Sequence, residues 1–272
     1  ELDVILFSGD AYVDHPSFGA AVIGRLLEAQ GLKVAIVPQP NWRDDLRDFK
    51  KLGKPRLFFG VSAGCMDSMV NKYTANKRLR SEDAYTPDGR HDMRPEYPTI
   101  VYTQILKKLW PDVPVVIGGI EASLRRLTHY DYWQDTVRKS ILIESGADLL
   151  VYGMGEKPIT ELCQRMKESP FIPTDVPQTV YLVKGKQAIP PSISEKEDIV
   201  LHSHEACTSD KKKEAENFRF IEEESNKYEA ARILQHAGNS TVVVNPPYPP
   251  MTQGELDMSF DLPYTRLPHP KY

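Results

Sequence analysis

Asp3 to Gly19 reads DVILFSGDAYVDHPSFG, and this stretch decides the fold. Val4, Ile5, Leu6 and Phe7 form the short continuous apolar run of a strand covered on both faces of a parallel sheet. Ser8, Gly9 and Asp10 end the run. Pro16 suits the first turn of a helix, where its missing N–H costs nothing, and Gly19 permits close approach to the helix start. Strand, loop and helix start therefore follow one another directly, and the loop from Ser8 to His15 is a natural place for a ligand.

The same grammar repeats downstream. Residues 17–30 place Val22, Ile23, Leu26 and Leu27 on one helical face, with Gly31 as the stop. KVAIVPQ (33–39) reads as a second strand, a short helix carries Leu46 and Phe49, and RLFFGVSAG (56–64) reads as a third strand. A helix over 98–110, a strand at 114–119, a helix over 135–145, a strand at 147–153 and a helix over 156–167 complete the alternation. Such a series predicts an α/β fold with an open, mainly parallel five-stranded sheet in a flavodoxin-like strand order. Between Asn71 and Tyr97 the pattern lapses into a polar segment where Lys72, Lys77, Arg78, Arg80, Arg90 and Arg94 alternate with Tyr73, Tyr85 and Tyr97. A loop of that length is expected to be functional or an interface.

Past residue 170 the alternation stops, which predicts an α/β domain over 1–170 and an α+β extension with a linker over 171–272. TVYLV (179–183) and QAI (187–189) read as a hairpin across Lys184-Gly185-Lys186. Residues 208–236 read as one long charged helix striped by Phe218, Ile221, Tyr228, Ala231 and Leu234, and STVVV (240–244) as a returning strand. Thr252 and Glu255 have capping-box spacing.

Composition narrows the classes. The 272 residues carry a formal net charge of −4, which gives no general attraction to nucleic acid or to an anionic membrane. No apolar run approaches the ~20 residues of a membrane helix and no signal peptide precedes the first strand, so a cytoplasmic location is expected. Cys65, Cys163 and Cys207 are scattered, and suggest neither a disulfide framework nor a clustered iron–sulfur site.

In an open parallel sheet, ligands bind beyond the carboxyl ends of the strands, near the switch in strand order. That rule gathers Ser8, Asp10, Asp14 and His15 with Ser62, with Gly118, Gly119, Glu121, Arg125, Arg126, His129 and Tyr132, and with Glu156, as candidate ligand or interface residues. The glycines permit close backbone approach, and an arginine forks onto a carboxylate or phosphate. The competing reading is that these polar groups cap helices and pair with one another on a solvated rim. No catalytic set is recognised: GxSxG and GxxxxGK[ST] are missing, and Gly153-Met154-Gly155 lacks the third glycine of a dinucleotide fingerprint. Cys65 reads as an inert thiol. His202, His204 and Cys207 are a local group of soft ligands one short of a zinc set, and read as a polar loop leading into the charged helix. No metal site is expected.

Five stretches carry a family resemblance. ELDVILFSGDAYVDHPSFGAAVIGRLLEAQG (1–31), GVSAGCMDSMVNKYTANKR (60–78), PVVIGGIEASLRRLTHYDYW (114–133), LLVYGMGEK (149–157) and DLPYTRLPHPKY (261–272) together resemble the N-terminal part of YgiQ-type radical SAM proteins. The resemblance implies a domain related to cobalamin-binding folds, followed by a radical SAM barrel whose CxxxCxxC holds a 4Fe-4S cluster with S-adenosylmethionine. This sequence contains no such triplet. The chain is therefore expected to be an excised piece whose partner is the barrel of the same polypeptide, with the cluster and S-adenosylmethionine in that parent and no cofactor here. The cobalt-ligating version of the fold carries DxHxxG after its first strand. Registered on Gly19, Asp14 fits, but Pro16 occupies the histidine position and His15 lies one residue early. Ser62 is followed by Ala63 and Gly64 instead of completing SxL, and only Gly118-Gly119 agrees. Histidine-ligated cobalamin is not expected. The function implied is a non-catalytic accessory domain of a radical SAM enzyme, with a cobalamin or small-anion binding module, or a ligand-free docking domain, as alternatives.

Overall fold

A computed structural model describes residues 1–169 and 171–272. Its centre is one mainly parallel sheet. Strands β1 (Val4–Ser8), β2 (Val34–Pro38), β3 (Phe58–Ser62), β4 (Val115–Gly118) and β7 (Leu149–Val151) lie parallel in the order β2-β1-β3-β4-β7. Register is set by matching apolar runs: Val4 sits between Val34 and Phe58, and Phe7 between Val37 and Val61. The sheet has nine strands, not the expected five. β8 (Thr179–Lys184) pairs antiparallel with β7, with Leu150 opposite Val180, and β11 (Ser240–Val244), β10 (Ile233–Ala237) and β9 (Ile199–Val200) extend it further. The strands after residue 170 therefore satisfy what would have been an open edge.

Helices cover both faces. α1 (Gly19–Ala29) and α7 (Glu156–Glu168) pack on the face that presents Leu6, Phe58, Val116 and Val151, through Leu27, Ile159 and Leu162. α4 (Pro98–Leu109) and α6 (Ile141–Ser145) cover the opposite face, where Ile5, Phe59 and Ile117 meet Tyr102, Leu106, Ile141 and Leu142. The short α2 (Arg47–Lys50) is held by Phe49, stacked on Phe7 at 5.1 Å between ring centres. Each such apolar side chain contributes about 1.5–3 kcal/mol by leaving water.

Several expected elements differ. Pro16 lies before α1 in a turn where Phe18 N–H donates to the His15 carbonyl, and the helix starts at Gly19. Gln187–Ile189 forms no strand, because Pro190 and Pro191 follow and β8 takes β11 as partner instead. The expected helix over 208–236 is α8 (His204–Ser209) and α9 (Lys211–Ser225), and Ile233–Ala237 forms β10, turning at Gly238 (φ +59°) into β11. Over 135–145 there is a hairpin of β5 (His129–Asp131) and β6 (Thr136–Arg138) before the five-residue α6, because Asp131 accepts from the N–H groups of Trp133 and Gln134 and turns the chain. α10 (Gln253–Phe260) begins with the expected capping box of Thr252 and Glu255. Among the described residues no helix is long and apolar enough to cross a membrane.

Candidate functional site

The carboxyl ends of β1, β3, β4 and β7 carry the loops singled out by sequence, and the structure ties them together through buried ion pairs. Arg94, 2% exposed, lies under the 71–97 loop; its Nη1 donates to Asp10 Oδ1 at 2.8 Å and to the Ala63 carbonyl at 3.0 Å, and its Nη2 to Asp83 at 2.9 Å. The second Asp10 oxygen accepts from Cys65 N–H at 2.6 Å. Gly64 is required there: its φ is +117° and a Cβ would lie 2.0 Å from Asp10 Oδ1. Burial pushes the Asp10 carboxyl above its ordinary range, against the pull of Arg94.

A second knot binds α3 (Ser68–Lys72) to α5 (Gly119–Leu124). Glu121 is fully buried, accepts from Thr99 N–H at 3.1 Å and from the Ser68 hydroxyl, and is raised by burial. Arg125 pairs with Asp67, whose side chain also caps α3 by accepting from Met69 and Val70 N–H. Arg126 Nη1 donates to the Ser123 carbonyl at 2.7 Å and its guanidinium lies 5.1 Å from the Tyr152 ring. A third knot joins Asp131 to Tyr97 and Arg138, and Arg138 to Glu144. His129 donates its Nδ1–H to the Leu127 carbonyl at 3.0 Å, and burial presses its pKa down to about 4.

Asp14 closes the fourth. Arg25 donates to both of its oxygens, with Nε 3.0 Å from Oδ1, and this holds the carboxyl well below the usual carboxylate range. Thr265 N–H adds a bond of 2.9 Å, and the Asp14 backbone pairs with Leu267 and Arg266. The segment 264–272 thus runs beside Tyr12–Asp14 as an added edge.

The remaining candidates divide. The Ser8 hydroxyl accepts from Asp10 N–H at 3.2 Å and is structural. His15 Nδ1 accepts from Ser17 N–H at 3.1 Å. Tyr132 donates to the Ala75 carbonyl at 2.8 Å, with Lys77 4.7 Å from its ring. Ser62, Gly118, Gly119 and Glu156 line a common cavity of about 320 Å³ between the sheet and the starts of α1 and α7. His202 pairs with Glu216, His204 with Thr128, and Cys207 is buried beside Asn217, so this trio does not converge. Among the described residues no group of three or more His, Cys, Asp or Glu is placed to hold a metal ion.

Sequence reasoning missed Asp67, Asp83 and Arg94, which organise the loops, and the aliphatic walls of the cavity. It also missed that the rim turns apolar groups outward. Val70 on α3, Ile120 and Leu124 on α5, and Met154 after β7 are 44%, 42%, 59% and 56% exposed. They sit on elements bonded to one another, α3 to α5 through Ser68 and Glu121, and α5 to the loop after β7 through Gly153 N–H to Ser123 Oγ at 3.0 Å.

Comparison with known proteins gives a consistent result. The family model described as radical SAM N-terminal matches residues 1–272. A UPF0313 protein of Bacteroides thetaiotaomicron is 71% identical, the match covering 100% of this chain and 45% of that protein. A UPF0313 protein of Geobacter sulfurreducens is 48% identical over 100% of this chain and 44% of its own length, and UPF0313 protein YgiQ of Escherichia coli is 43% identical over 99% and 43%. The chain spans less than half the length of these relatives. Among solved structures, TsrM of Kitasatospora setae, a radical S-adenosylmethionine methyltransferase with tryptophan substrate and a SAM analogue bound, matches at 19% identity and a TM-score of 0.45 over 66% of this chain and 28% of that one.

Proposed function

The chain belongs to the radical SAM N-terminal family, and from that premise we propose that it is the accessory, non-catalytic domain of a radical SAM enzyme, docking its strand-end rim on the catalytic half of the same polypeptide. The observation that carries this is the exposed apolar set Val70, Ile120, Leu124 and Met154 on a rim stiffened by buried ion pairs. Exposed apolar side chains carried on elements tied to one another support an interaction site. The order β2-β1-β3-β4-β7 of the parallel half supports reading it as flavodoxin-like, and the family resemblance relates such a domain to cobalamin-binding folds.

The residues present do not fit either cofactor implied by the family. A 4Fe-4S cluster needs convergent thiolates, whereas Cys163 is buried in α7, Cys207 in α8 and Cys65 follows β3. Histidine-ligated cobalt needs an imidazole oriented by the neighbouring carboxylate, but the Asp14 oxygens are taken by Arg25, Tyr12 and Thr265. On this reading the cluster and S-adenosylmethionine would be held by the other half and supply the radical chemistry there.

The test is hydrogen exchange on the full-length protein against this chain alone. Amides of 68–72, 119–124 and 153–155 should be slower in the full-length protein, and Leu124→Glu with Ile120→Glu should abolish that difference and lower reductive S-adenosylmethionine turnover. Equal exchange in both forms overturns the docking reading. A full-length protein that takes up no 4Fe-4S cluster on anaerobic reconstitution overturns the enzymatic one.

A further inference from the structure

The 71–97 loop encloses a cavity of its own, apart from the one between the sheet and the starts of α1 and α7. Its volume is about 180 Å³, and Asn71, Arg80 and Glu82 are among the residues that line it. That is below the ~300–1,000 Å³ of sites for drug-sized ligands and suits a small metabolite. Asn71, in the last turn of α3, is only 7% exposed. Among the described residues its side-chain amide bonds to nothing in the chain, yet neither its oxygen nor its nitrogen is sealed off from water. A nearly buried amide in that state takes its partners from whatever fills the cavity. It offers an acceptor and two donors in one plane, which match a second amide.

The charges around the cavity narrow the ligand further. Lys72 pairs with Asp92 at 3.2 Å and Arg94 with Asp83 at 2.9 Å, so these four call for no outside counter-ion. Two charged lining groups stay uncommitted among the described residues. Arg80 donates through Nε to the carbonyls of Val70 and Tyr73, at 3.1 and 3.2 Å, which fixes its guanidinium at the end of α3 and leaves Nη1 and Nη2 free. Glu82 lines the same cavity with a carboxylate that has neither an ion pair nor a hydrogen bond in the chain. A free guanidinium fork suits a carboxylate, and a free carboxylate suits an ammonium. A bare anion such as phosphate would satisfy the first and be repelled by the second. We propose that this cavity binds a zwitterionic amino acid with a carboxamide or similar neutral polar side chain, its carboxylate on Arg80, its ammonium on Glu82 and its side-chain amide on Asn71.

Glutamine is the probe, with three analogues that each lack one group: glutaramic acid the ammonium, 4-aminobutanamide the carboxylate, and norvaline the carboxamide. Titrated into this chain and followed by amide chemical shifts, glutamine should perturb Asn71, Arg80 and Glu82, the side-chain amide of Asn71 included, with a dissociation constant of about 1 mM or below. Each analogue should bind at least about tenfold more weakly. Glu82→Gln should bring glutamine and glutaramic acid to equal affinity, and Arg80→Met should do the same for glutamine and 4-aminobutanamide. The proposal is overturned by no shift at about 10 mM glutamine, by shifts that map elsewhere, by analogues that bind as well as glutamine, or by folded variants that keep the discrimination of the parent chain. The analogue comparison is made in the parent chain, so it decides the matter even where a variant folds poorly. It needs no second half, so a failure of the docking reading leaves it intact.

Discussion

Replacing Arg94 with Met tests whether the long 71–97 loop is held from below by charge. Methionine keeps most of the volume of the side chain but removes the only cation that contacts both Asp10 and Asp83 among the described residues. Removing one partner of a buried ion pair costs about 3–5 kcal/mol, chiefly because the other charge stays buried without compensation. A protein of this size loses about 2–4 °C of melting temperature per kcal/mol, so Arg94→Met should melt about 10 °C lower near neutral pH. The loss should depend on pH in a fixed direction. Asp10 already has a raised pKa because burial disfavours its charge. A carboxyl raised in the folded state favours folding at acid pH and costs stability as pH rises through its folded value. Without Arg94 the value rises further, so the penalty should be larger at about pH 8 than at about pH 5. Urea unfolding at the two pH values measures this, and limited trypsin digestion should cut the loop faster in the variant. A loss under about 1 kcal/mol, as for a surface pair, or an equal loss at both pH values would refute the reasoning.

Asp14→Asn should cost about 1.5–3 kcal/mol, the range for hydrogen bonds to a charged group, and should speed amide exchange at Thr265, Arg266 and His269; unchanged protection there would mean the 264–272 segment is held by other contacts. Because Arg25 depresses the Asp14 pKa, its contribution is present above the unfolded value of about 3.9 and is lost as pH falls below it, so acid should erase the difference between parent and variant. His129→Asn, which keeps a donor for the Leu127 carbonyl, should remove an acid sensitivity. With the folded pKa pressed to about 4, the parent loses about 3 kcal/mol between about pH 6.5 and 4 as the unfolded chain takes up the proton first. Superimposable stability curves over that window would count against a buried neutral imidazole.

The parallel strands were legible because their signal is local. Val4–Phe7, Val34–Val37 and Val115–Ile117 are apolar without interruption and are followed by turn residues. β10 was not legible, since Ile233–Ala237 follows a charged run and its strand character depends on pairing with β11. The site was half legible for the same reason. Glycine pairs and carboxylates lie at the carboxyl ends of β1, β3, β4 and β7, but partner identity lay far away in sequence. Arg94 resembles Arg78, Arg80 and Arg90 in a polar loop until Asp10, 84 residues earlier, lies against it. Asp14 looks like half of a metal-site motif until Thr265, 251 residues later, claims its oxygen. Arg125 and Arg126 read either as forks for a carboxylate or phosphate or as partners within the rim, and one is committed to Asp67 and the other to the Ser123 carbonyl.

That inward commitment bears on the docking reading. Arg94 and Arg125 are committed to interior partners, and the exposed side chains of the rim include the apolar Val70, Ile120, Leu124 and Met154. Buried pairs are weak contributors to net stability but enforce one geometry, because any loosened partner leaves an uncompensated charge. A surface so fixed loses little conformational entropy on association. Covering four such side chains, at about 1.5–3 kcal/mol each for full burial and less for groups already half covered, would supply several kcal/mol, enough on the docking reading to bias a partner held close by a tether. The same four side chains in free solution would be a liability to solubility. Charge on Leu124 should therefore weaken attachment of the second half while improving the solubility of this chain alone, and a variant that lost solubility would argue that Leu124 packs within the domain.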